Sequence, residues 1–273
     1  MYKLNQAHNV NFFKAFPKVP SGTFDLCVTS PPYYNARKYG AEWDTFKSEE
    51  DWFHFCKDML LCVAEVMKPE GVIWWNTGPG YADSKRMVVV ERMIVEANRQ
   101  GIYLIDKIPW CKTSFLPKAY QNRPIPAWEE NLIFSKNPKL VTYYVDHVRE
   151  PYAESTLKRL KYPVGQIQAD ADGEFKKRKM VKPHPLGKTV PNYFVGRVDV
   201  SKRTHPAPMA KWLANWAVRA YSKEGDYVLD PMCGIGTTGV EAIKLGRYFL
   251  GFDVNEEYTK IANKAISECL III

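Results

Sequence analysis

Short apolar runs alternate with longer segments of helical periodicity along most of this chain. Four to eight apolar residues bounded by polar or turn residues are typical of strands buried on both faces. Such runs lie at Phe24–Thr29, Gly71–Trp75, Ile102–Ile108, Asn131–Ser135, Tyr227–Asp230 and Arg247–Asp253. The alternation predicts an α/β fold, in which helices cover both faces of a mostly parallel sheet.

Helical segments are predicted between these runs. Ser48 indicates a helix start, because Asp51 follows it three residues later and apolar residues then recur at helical spacing until Pro69. Further helices are predicted at Pro208–Tyr221, Thr237–Leu245 and Glu256–Leu270.

Composition narrows the class of protein. The chain has 273 residues, of which 46% are hydrophobic and 25% charged, which is enough for a substantial core. No apolar run is long enough to span a membrane, and the N-terminus lacks the layout of a signal peptide. The six cysteines are irregularly spaced without a CxxC pair. We therefore expect a soluble cytoplasmic protein without a metal site.

The positive charge is concentrated in one segment. Lys and Arg together number 38 against 30 Asp and Glu, and residues 151–204 contribute +7 of the net charge of +8. This segment is rich in proline and glycine, and it contains the basic run Lys176, Lys177, Arg178 and Lys179. Its charge favours a polyanionic partner such as nucleic acid, with a solvated surface loop as the alternative.

The first motif with chemical content follows the strand candidate at Phe24–Thr29. It reads Thr29-Ser30-Pro31-Pro32-Tyr33-Tyr34. Ligands of parallel sheets bind at the carboxyl ends of the strands, where this motif is predicted to lie. The prolines fix the backbone, the serine offers a hydroxyl, and the tyrosines offer flat faces, which suits a planar ring bearing an amino group. The alternative, a proline-rich ligand for a partner domain, is disfavoured directly after a buried strand.

The second motif also follows a strand candidate. It reads Asp230-Pro231-Met232-Cys233-Gly234-Ile235-Gly236-Thr237-Thr238-Gly239. The glycines match GxGxxG and Asp253 closes the next strand, a pattern that fits a nicotinamide dinucleotide or S-adenosylmethionine. Only twenty residues follow Asp253, and a carboxylate at Asp230 would repel a pyrophosphate. Both points favour S-adenosylmethionine, whose amino-acid part carries an ammonium group.

The two motifs, in this order, resemble those of the β class of DNA methyltransferases, which are circularly permuted and modify exocyclic amino groups. Four further segments extend the resemblance over nearly the whole chain: Arg123–Glu129, Phe134–Lys136, Val148–Tyr152 and His205–Met209. The resemblance implies a seven-stranded Rossmann-like sheet with an N-terminal strand at Met1–Asn5. It also implies a catalytic domain at 1–149 and 205–273, interrupted by a target-recognition region at 150–204.

The resemblance further implies roles for individual residues, with S-adenosylmethionine as cofactor and double-stranded DNA as partner. The implied catalytic residues are Ser30, Pro31, Pro32 and Tyr33. The implied cofactor-binding residues are Asp230, Pro231, Gly234, Gly236, Thr237, Thr238, Asp253, His205 and Pro206. The implied substrate-binding residues are Thr29, Tyr34, Asn76, Lys176, Lys177, Arg178 and Lys179.

Two positions depart from the family pattern. Relatives carry Gly-Asp near the N-terminus, where this chain has Ala7-His8-Asn9, which leaves the contacts to the cofactor adenine open. Relatives often carry an acidic residue near the end of the strand at Gly71–Trp75, where this chain offers Asn76. Asn76 is therefore either part of the target pocket or a turn residue at a strand end.

The serine in the first motif resembles the branch that methylates the 4-amino group of cytosine, with the 6-amino group of adenine as the alternative. Methylation at carbon 5 is disfavoured, because the chain contains no Pro-Cys dipeptide. An RNA or protein-glutamine methyltransferase and a non-catalytic nucleotide-binding regulator are further alternatives. The resemblance places the protein in a bacterial, archaeal or phage-infected cell, with a restriction endonuclease acting on the same site as a candidate partner.

Overall fold

The computed structural model describes residues 2–34, 46–115, 120–163, 180–198 and 208–272. The chain divides into two compact units. One unit consists of Met1–Tyr143 together with Asn192–Ile273, and the other is Tyr144–Pro191. Within the described ranges, no helix combines the length and the apolar character that a membrane crossing requires.

A central sheet organises the larger unit. The strands are β1 (Gln6–Asn9), β2 (Phe24–Thr29), β3 (Met67–Thr77), β4 (Tyr81–Ala82), β5 (Lys85–Arg86), β6 (Tyr103–Lys112), β7 (Trp128–Ser135), β8 (Phe194–Gly196), β9 (Tyr227–Asp230) and β10 (Tyr248–Asp253). Among the described residues, eight of them form one sheet in the order β1-β10-β9-β2-β3-β7-β6-β8, and β4 pairs with β5 in a separate hairpin. All neighbours in the sheet are parallel except β7, which is antiparallel to β3 and β6.

Helices lie on both faces of this sheet, as the alternating pattern predicts. They are α1 (Phe12–Ala15), α2 (Glu49–Val66), α3 (Val89–Arg99), α5 (Lys211–Tyr221), α6 (Thr237–Lys244) and α7 (Glu256–Ile272). The helix α4 (Glu154–Arg159) belongs to the smaller unit. Side chains of α1, α2 and α3 form one buried cluster, and side chains of α5, α6 and α7 form a second. Neighbouring residues of β3 alternate between the two, with Trp75 in the first cluster and Trp74 in the second.

The prediction of seven strands is wrong by one, because the described sheet has eight. The additional strand is β8, which pairs in parallel with the end of β6 through Phe194 and Trp110. Three residues in a segment rich in proline and glycine carry too little periodicity to predict a strand. These residues form a strand because they pair with β6, and not because of a pattern in their own sequence.

The N-terminal strand lies later in the chain than the resemblance implies. Its expected position is Met1–Asn5, whereas β1 begins at Gln6 and pairs in parallel with β10. Asn5 has a φ of 58°, which excludes it from a continuous strand. Asn263 of α7 donates to the Ala7 carbonyl and accepts from the Ala7 amide, at 2.9 and 2.7 Å, and so anchors this edge strand.

The remaining strand predictions are confirmed in position, and β2 and β9 have the predicted bounds. Because β2, β3, β9 and β10 are parallel, their last residues meet at one edge of the sheet. These residues are Thr29, Thr77, Asp230 and Asp253. The antiparallel strand β7 begins at this edge. Both sequence motifs therefore lie at the same edge of the sheet, where the parallel strands end.

The start of α2 supports this edge directly. The Ser48 side chain accepts a hydrogen bond from the Asp51 amide at 3.1 Å, as the capping pattern predicts. One residue further on, Trp52 is buried and its indole N–H donates to the Pro32 carbonyl at 3.1 Å. The helix cap therefore lies one turn from the residue that anchors the first motif.

Replacing Ser48 with Ala should destabilise the protein by about 1 kcal/mol, because a first-turn amide loses its side-chain acceptor. Thermal unfolding should show a midpoint about 2–4 °C lower. Ser267→Ala is the matched control, since Ser267 lies inside α7 and its hydroxyl bonds only to the Lys264 carbonyl of the same helix. Equal midpoints for Ser48→Ala and the control would contradict the assignment of the cap.

Candidate functional site

The first motif leaves β2 as a buried and anchored turn. Thr29 closes the strand with its side chain buried, and the rings of Pro31 and Pro32 are buried after it. The hydrogen bond from Trp52 to the Pro32 carbonyl ties the turn to α2. Ser30 and Tyr33 stay partly exposed on this fixed backbone.

Asn76, at the end of the neighbouring strand β3, joins the two partly exposed side chains. Its Oδ1 accepts a hydrogen bond from the Ser30 hydroxyl at 3.0 Å and from the Tyr33 hydroxyl at 2.8 Å. The ring of Tyr33 lies against Gly78, where a Cβ would come within 2.8 Å of it. Residues 46 positions apart in sequence thus form one hydrogen-bonded group at the sheet edge.

Asn131 is a member of the site that sequence reasoning missed. It lies opposite Asn76 in the pairing of β3 with β7, is completely buried, and accepts from Asn76 Nδ2 at 3.1 Å. Its only sequence signal is an amide directly before the apolar run Leu132-Ile133-Phe134. The cross-strand register, which the sequence does not reveal, brings Asn131 to Asn76.

Tyr34 packs against aromatic side chains that are not part of the group formed by Ser30, Tyr33 and Asn76. Its ring stacks on Phe46, with 6.4 Å between ring centroids, and packs against Trp52 at 5.9 Å. Of the two tyrosines expected to stack on a target base, Tyr33 is the one that the structure brings together with Ser30 and Asn76.

The second motif forms a tight turn between β9 and α6. Gly234 and Gly236 have φ values of 50° and 81°, which side chains rarely adopt. Asp253 holds this turn, because its Oδ2 accepts from the Gly234 amide at 2.9 Å while its Oδ1 accepts from the Asn255 amide at 2.8 Å. Gly239 permits close packing of α6, since a Cβ there would lie 2.5 Å from the Phe249 ring.

The two carboxyl groups at this turn are buried, and the part of the chain that the structure describes provides neither with an ion-pair partner. Burial, with a smaller contribution from the nearby Asp253, raises the pKa of Asp230 to about 7, against the hydrogen bonds that this carboxyl group accepts. Burial also raises the pKa of Asp253, against the hydrogen bonds that it accepts from backbone amides. Among the described residues, no ion pair involves either carboxyl group. The site therefore favours a ligand that brings positive charge.

The two threonines of the motif differ in their surroundings. Thr237 begins α6, at the end of the glycine turn and partly exposed. Thr238 is buried, and its hydroxyl donates to the Val28 carbonyl of β2 at 3.3 Å. This bond links the turn of the second motif to the strand that carries the first. Pro231, directly after Asp230, lines a cleft at the strand ends together with Asp253.

Several predicted site residues lie outside the described residues: His205, Pro206, Lys176, Lys177, Arg178 and Lys179. The helix expected to begin at Pro208 begins instead at Lys211, because Ala210 has an extended conformation and serves as the N-cap. The helix predicted at Pro208–Tyr221 is therefore confirmed in position and in its end, with a start three residues later than predicted.

The smaller unit, Tyr144–Pro191, covers most of the segment predicted to recognise the target. Backbone hydrogen bonds of 3.0 and 2.8 Å pair Glu150 with Lys188. Gly187 has a φ of 106° and lies against the Glu150 carbonyl, where a Cβ would come within 2.2 Å of the oxygen. The side chains of Tyr162, Met180 and Leu186 are exposed. The role of this unit in recognition stays a prediction.

Known proteins resemble the chain over nearly its whole length. The pattern of the DNA methylase family of N6 and N4 methyltransferases matches residues 24–264. The Type II methyltransferase M1.MboII of Moraxella bovis is 30% identical over 278 residues, which cover 98% of each protein.

Two solved structures share the fold. The cytosine-N4-specific PvuII DNA methyltransferase superposes with a TM-score of 0.65 at 18% identity, covering 97% of this chain and 92% of that one. A complex of M1.HpyAVI with S-adenosylmethionine gives a TM-score of 0.58 at 18% identity, covering 95% and 98%. The resemblance to known structures confirms the predicted Rossmann-like class of fold.

Replacing Asp230 with Asn should make the protein more stable above pH 7. The pKa of Asp230 is about 7 in the folded protein, against about 3.9 for an aspartate in an unfolded chain. The folded state therefore binds this proton more tightly, and the free energy of unfolding falls as pH rises from about 4 to about 7. At pH 8 we expect Asp230→Asn to unfold roughly 5 °C above the unmodified protein.

Near pH 4 the two proteins should unfold at similar temperatures. Asp58→Asn provides the control, because Asp58 is exposed on α2 and its replacement should leave the pH dependence unchanged. Parallel unfolding curves for Asp230→Asn and the unmodified protein at both pH values would contradict the proposed burial of an ionisable Asp230.

Proposed function

The chain belongs to the DNA methylase family, and from that premise we propose that it methylates the exocyclic 4-amino group of cytosine in duplex DNA. Membership makes it an S-adenosylmethionine-dependent methyltransferase of amino groups in DNA. The choice of cytosine over adenine is the finer part of the proposal, and it rests on Ser30.

One observation carries the proposal. The group formed by Ser30, Tyr33 and Asn76 lies at the carboxyl ends of β2 and β3, while Asp230 ends the adjacent strand β9. Hydrogen-bond acceptors suited to an amino group are thus one strand away from acids suited to a cation. Reactions between two bound substrates require this proximity.

Charge supports the proposed cofactor. S-adenosylmethionine supplies an activated methyl group on a sulfonium, and it also carries an ammonium. Asp230 is proposed to face the ammonium and Asp253 to accept from the ribose hydroxyls, with the turn at Gly234–Thr238 beneath. The negatively charged pyrophosphate of a dinucleotide would instead make ionisation of the two buried carboxyl groups still less favourable and would bring them no cation.

Ser30 is proposed to act on the nucleophile. The lone pair of an exocyclic nitrogen is delocalised into the ring, so the free amine attacks poorly. Acceptors at Ser30 and at the Pro31 carbonyl would hold the amino hydrogens and favour a pyramidal nitrogen that attacks the methyl group directly. As the bond from nitrogen to the methyl carbon forms, the bond from that carbon to the sulfonium sulfur would break and leave a neutral thioether. The methylated nitrogen would then lose one amino proton to water. The base must first leave the duplex stack, and Tyr33 is proposed to stack on it.

The chemistry of the first motif favours cytosine. A hydroxyl accepts a hydrogen bond without bringing a negative charge, whereas the adenine branch usually carries Asp or Asn at this position. Asn76, where relatives often have an acid, keeps the group neutral as well. Adenine methylation is the alternative, and its product differs in mass from that of cytosine methylation.

The test is identification of the product. The protein is incubated with labelled S-adenosylmethionine and duplex DNA, and the DNA is digested to nucleosides and analysed by mass spectrometry. We expect 4-methylamino cytosine, and parallel sequencing of methylated DNA gives the target site. Exclusive formation of 6-methylamino adenine would overturn the choice of base, and label in RNA or protein alone would overturn the choice of substrate.

Replacing Ser30 with Ala should slow the chemical step by roughly a hundredfold, the scale of losing one preorganised hydrogen bond in a transition state. Single-turnover methylation measures this rate, while titrations should show unchanged binding of DNA and cofactor. Ser21→Ala is the control, because the Ser21 hydroxyl bonds to the Glu65 carbonyl and is not part of the site. An unchanged rate for Ser30→Ala would refute the proposed role.

The segment at 150–204 is proposed to bind the DNA backbone near the target. Neutralising Lys176, Lys177, Arg178 and Lys179 with Gln should lower the slope of log affinity against log salt by about 0.9 for each phosphate that the variant no longer neutralises. Neutralising Lys260 and Lys264 on α7 should leave the slope unchanged. If the two variants and the unmodified protein show the same salt slope, the basic run does not contact DNA phosphates and is a solvated surface segment.

A further inference from the structure

The orientation of the Asn76 amide decides what Ser30 can offer a substrate. Asn76 Oδ1 accepts from the hydroxyls of Ser30 and Tyr33, and Asn76 Nδ2 donates to Asn131 Oδ1 at 3.1 Å. A side-chain amide has nearly the same shape after a half-turn, but the turn exchanges a donor for an acceptor. Turned around, Asn76 would donate to Ser30, whose proton would then be free to point elsewhere.

Two groups of fixed polarity prevent that turn, and both act on Asn131. The indole N–H of Trp74 donates to Asn131 Oδ1 at 3.1 Å, and the Ile108 carbonyl accepts from Asn131 Nδ2 at 3.1 Å. An indole N–H can only donate and a carbonyl can only accept. Turning the completely buried Asn131 would set donor against donor and acceptor against acceptor, out of contact with bulk solvent.

The fixed polarity passes from Asn131 to the hydroxyl groups. Because Asn131 presents Oδ1, Asn76 must present its amino group there and its oxygen to Ser30 and Tyr33. The two hydroxyl oxygens are also 3.4 Å apart, so a proton could lie between them. When the Ser30 proton points to Asn76 Oδ1 or to the Tyr33 hydroxyl oxygen, it lies inside the group, and the outer side of Ser30 Oγ then carries lone pairs only.

We propose that Asn131 and Trp74 are positioning residues that hold Ser30 as an obligate acceptor, and that they thereby select bases with an exocyclic amino group over bases with a keto oxygen. This inference rests on the proposed function, since it places the target base against Ser30. A keto oxygen at the same ring position would face the Ser30 lone pairs without a proton between them. The expected discrimination is cytosine over uracil, or adenine over hypoxanthine.

The experiment begins with the site at which the unmodified protein methylates DNA. Binding is then measured for duplexes that carry at the target position either the amino base or its keto counterpart. The unmodified protein should prefer the amino base about tenfold or more. In Asn131→Leu, Asn76 is free to turn and donate, so the preference should fall towards one.

Trp74→Phe provides a second test that keeps a ring in the core, and it should lower the preference in the same direction. The control is Leu132→Ala, which opens a cavity next to Asn131 at an equally buried position on the other face of β7. General damage to the fold weakens binding of both duplexes alike, so the control should keep the full preference. Effects of the keto base on the duplex itself cancel between variants.

An unchanged preference in both Asn131→Leu and Trp74→Phe would overturn the inference while the proposed function stands. Loss of the preference in Leu132→Ala to the same extent would overturn it too, because discrimination would then follow from packing alone. If the unmodified protein methylates no DNA amino group, the proposed function fails and the inference fails with it.

Discussion

The burial of two carboxyl groups on neighbouring strands imposes the constraint on which the rest of the site depends. Asp230 and Asp253 end adjacent strands, and the described residues supply them with backbone amides but no ion pair. Burial disfavours the ionised form and raises the pKa of both carboxyl groups. A fold keeps such a costly arrangement where a cationic ligand completes it, in agreement with the tendency of strongly perturbed groups to cluster at functional sites.

The sheet topology brings the second half of the chemistry to these acids. After β2 the chain forms β3, β6, β7 and β8, which lie on one side of β2 in the sheet order β3-β7-β6-β8, and it returns to the other side of β2 with β9. Ligands bind in parallel sheets at such a change of direction. Motifs about two hundred residues apart thereby end on neighbouring strands, and Thr238 of one motif bonds directly to Val28 beside the other.

The sequence predicted the parts of this arrangement that local patterns specify. Buried strands are short and apolar, and the glycines of the second motif occupy positions where the backbone or the packing requires them, so both motifs could be placed on strand ends. Asn131 could not be predicted, because its partner is set by the antiparallel register of β7. The same limit applies to β8, whose order comes from β6, and to Asn5, whose positive φ displaces β1.

The neutral composition of the target group distinguishes it from the acid pair. Hydrogen bonds between neutral groups connect Ser30, Tyr33, Asn76 and Asn131, and buried partners fix their geometry. A charged cofactor and a neutral base can thus occupy neighbouring places without competing for the same side chains. Preorganised polar groups of this kind act on a transition state without having to rearrange.

The most direct test of this account is the proton balance of cofactor binding. With the pKa of Asp230 near 7, that carboxyl group is mostly protonated at pH 6, and an ammonium bound beside it favours the ionised form. Calorimetric titration with S-adenosylmethionine at pH 6, in two buffers of different ionisation enthalpy, should show release of a proton, with affinity rising as pH approaches 7. Asp230→Asn should bind weakly and release no proton. Tight binding without proton release, or equal binding by Asp230→Asn, would contradict the account.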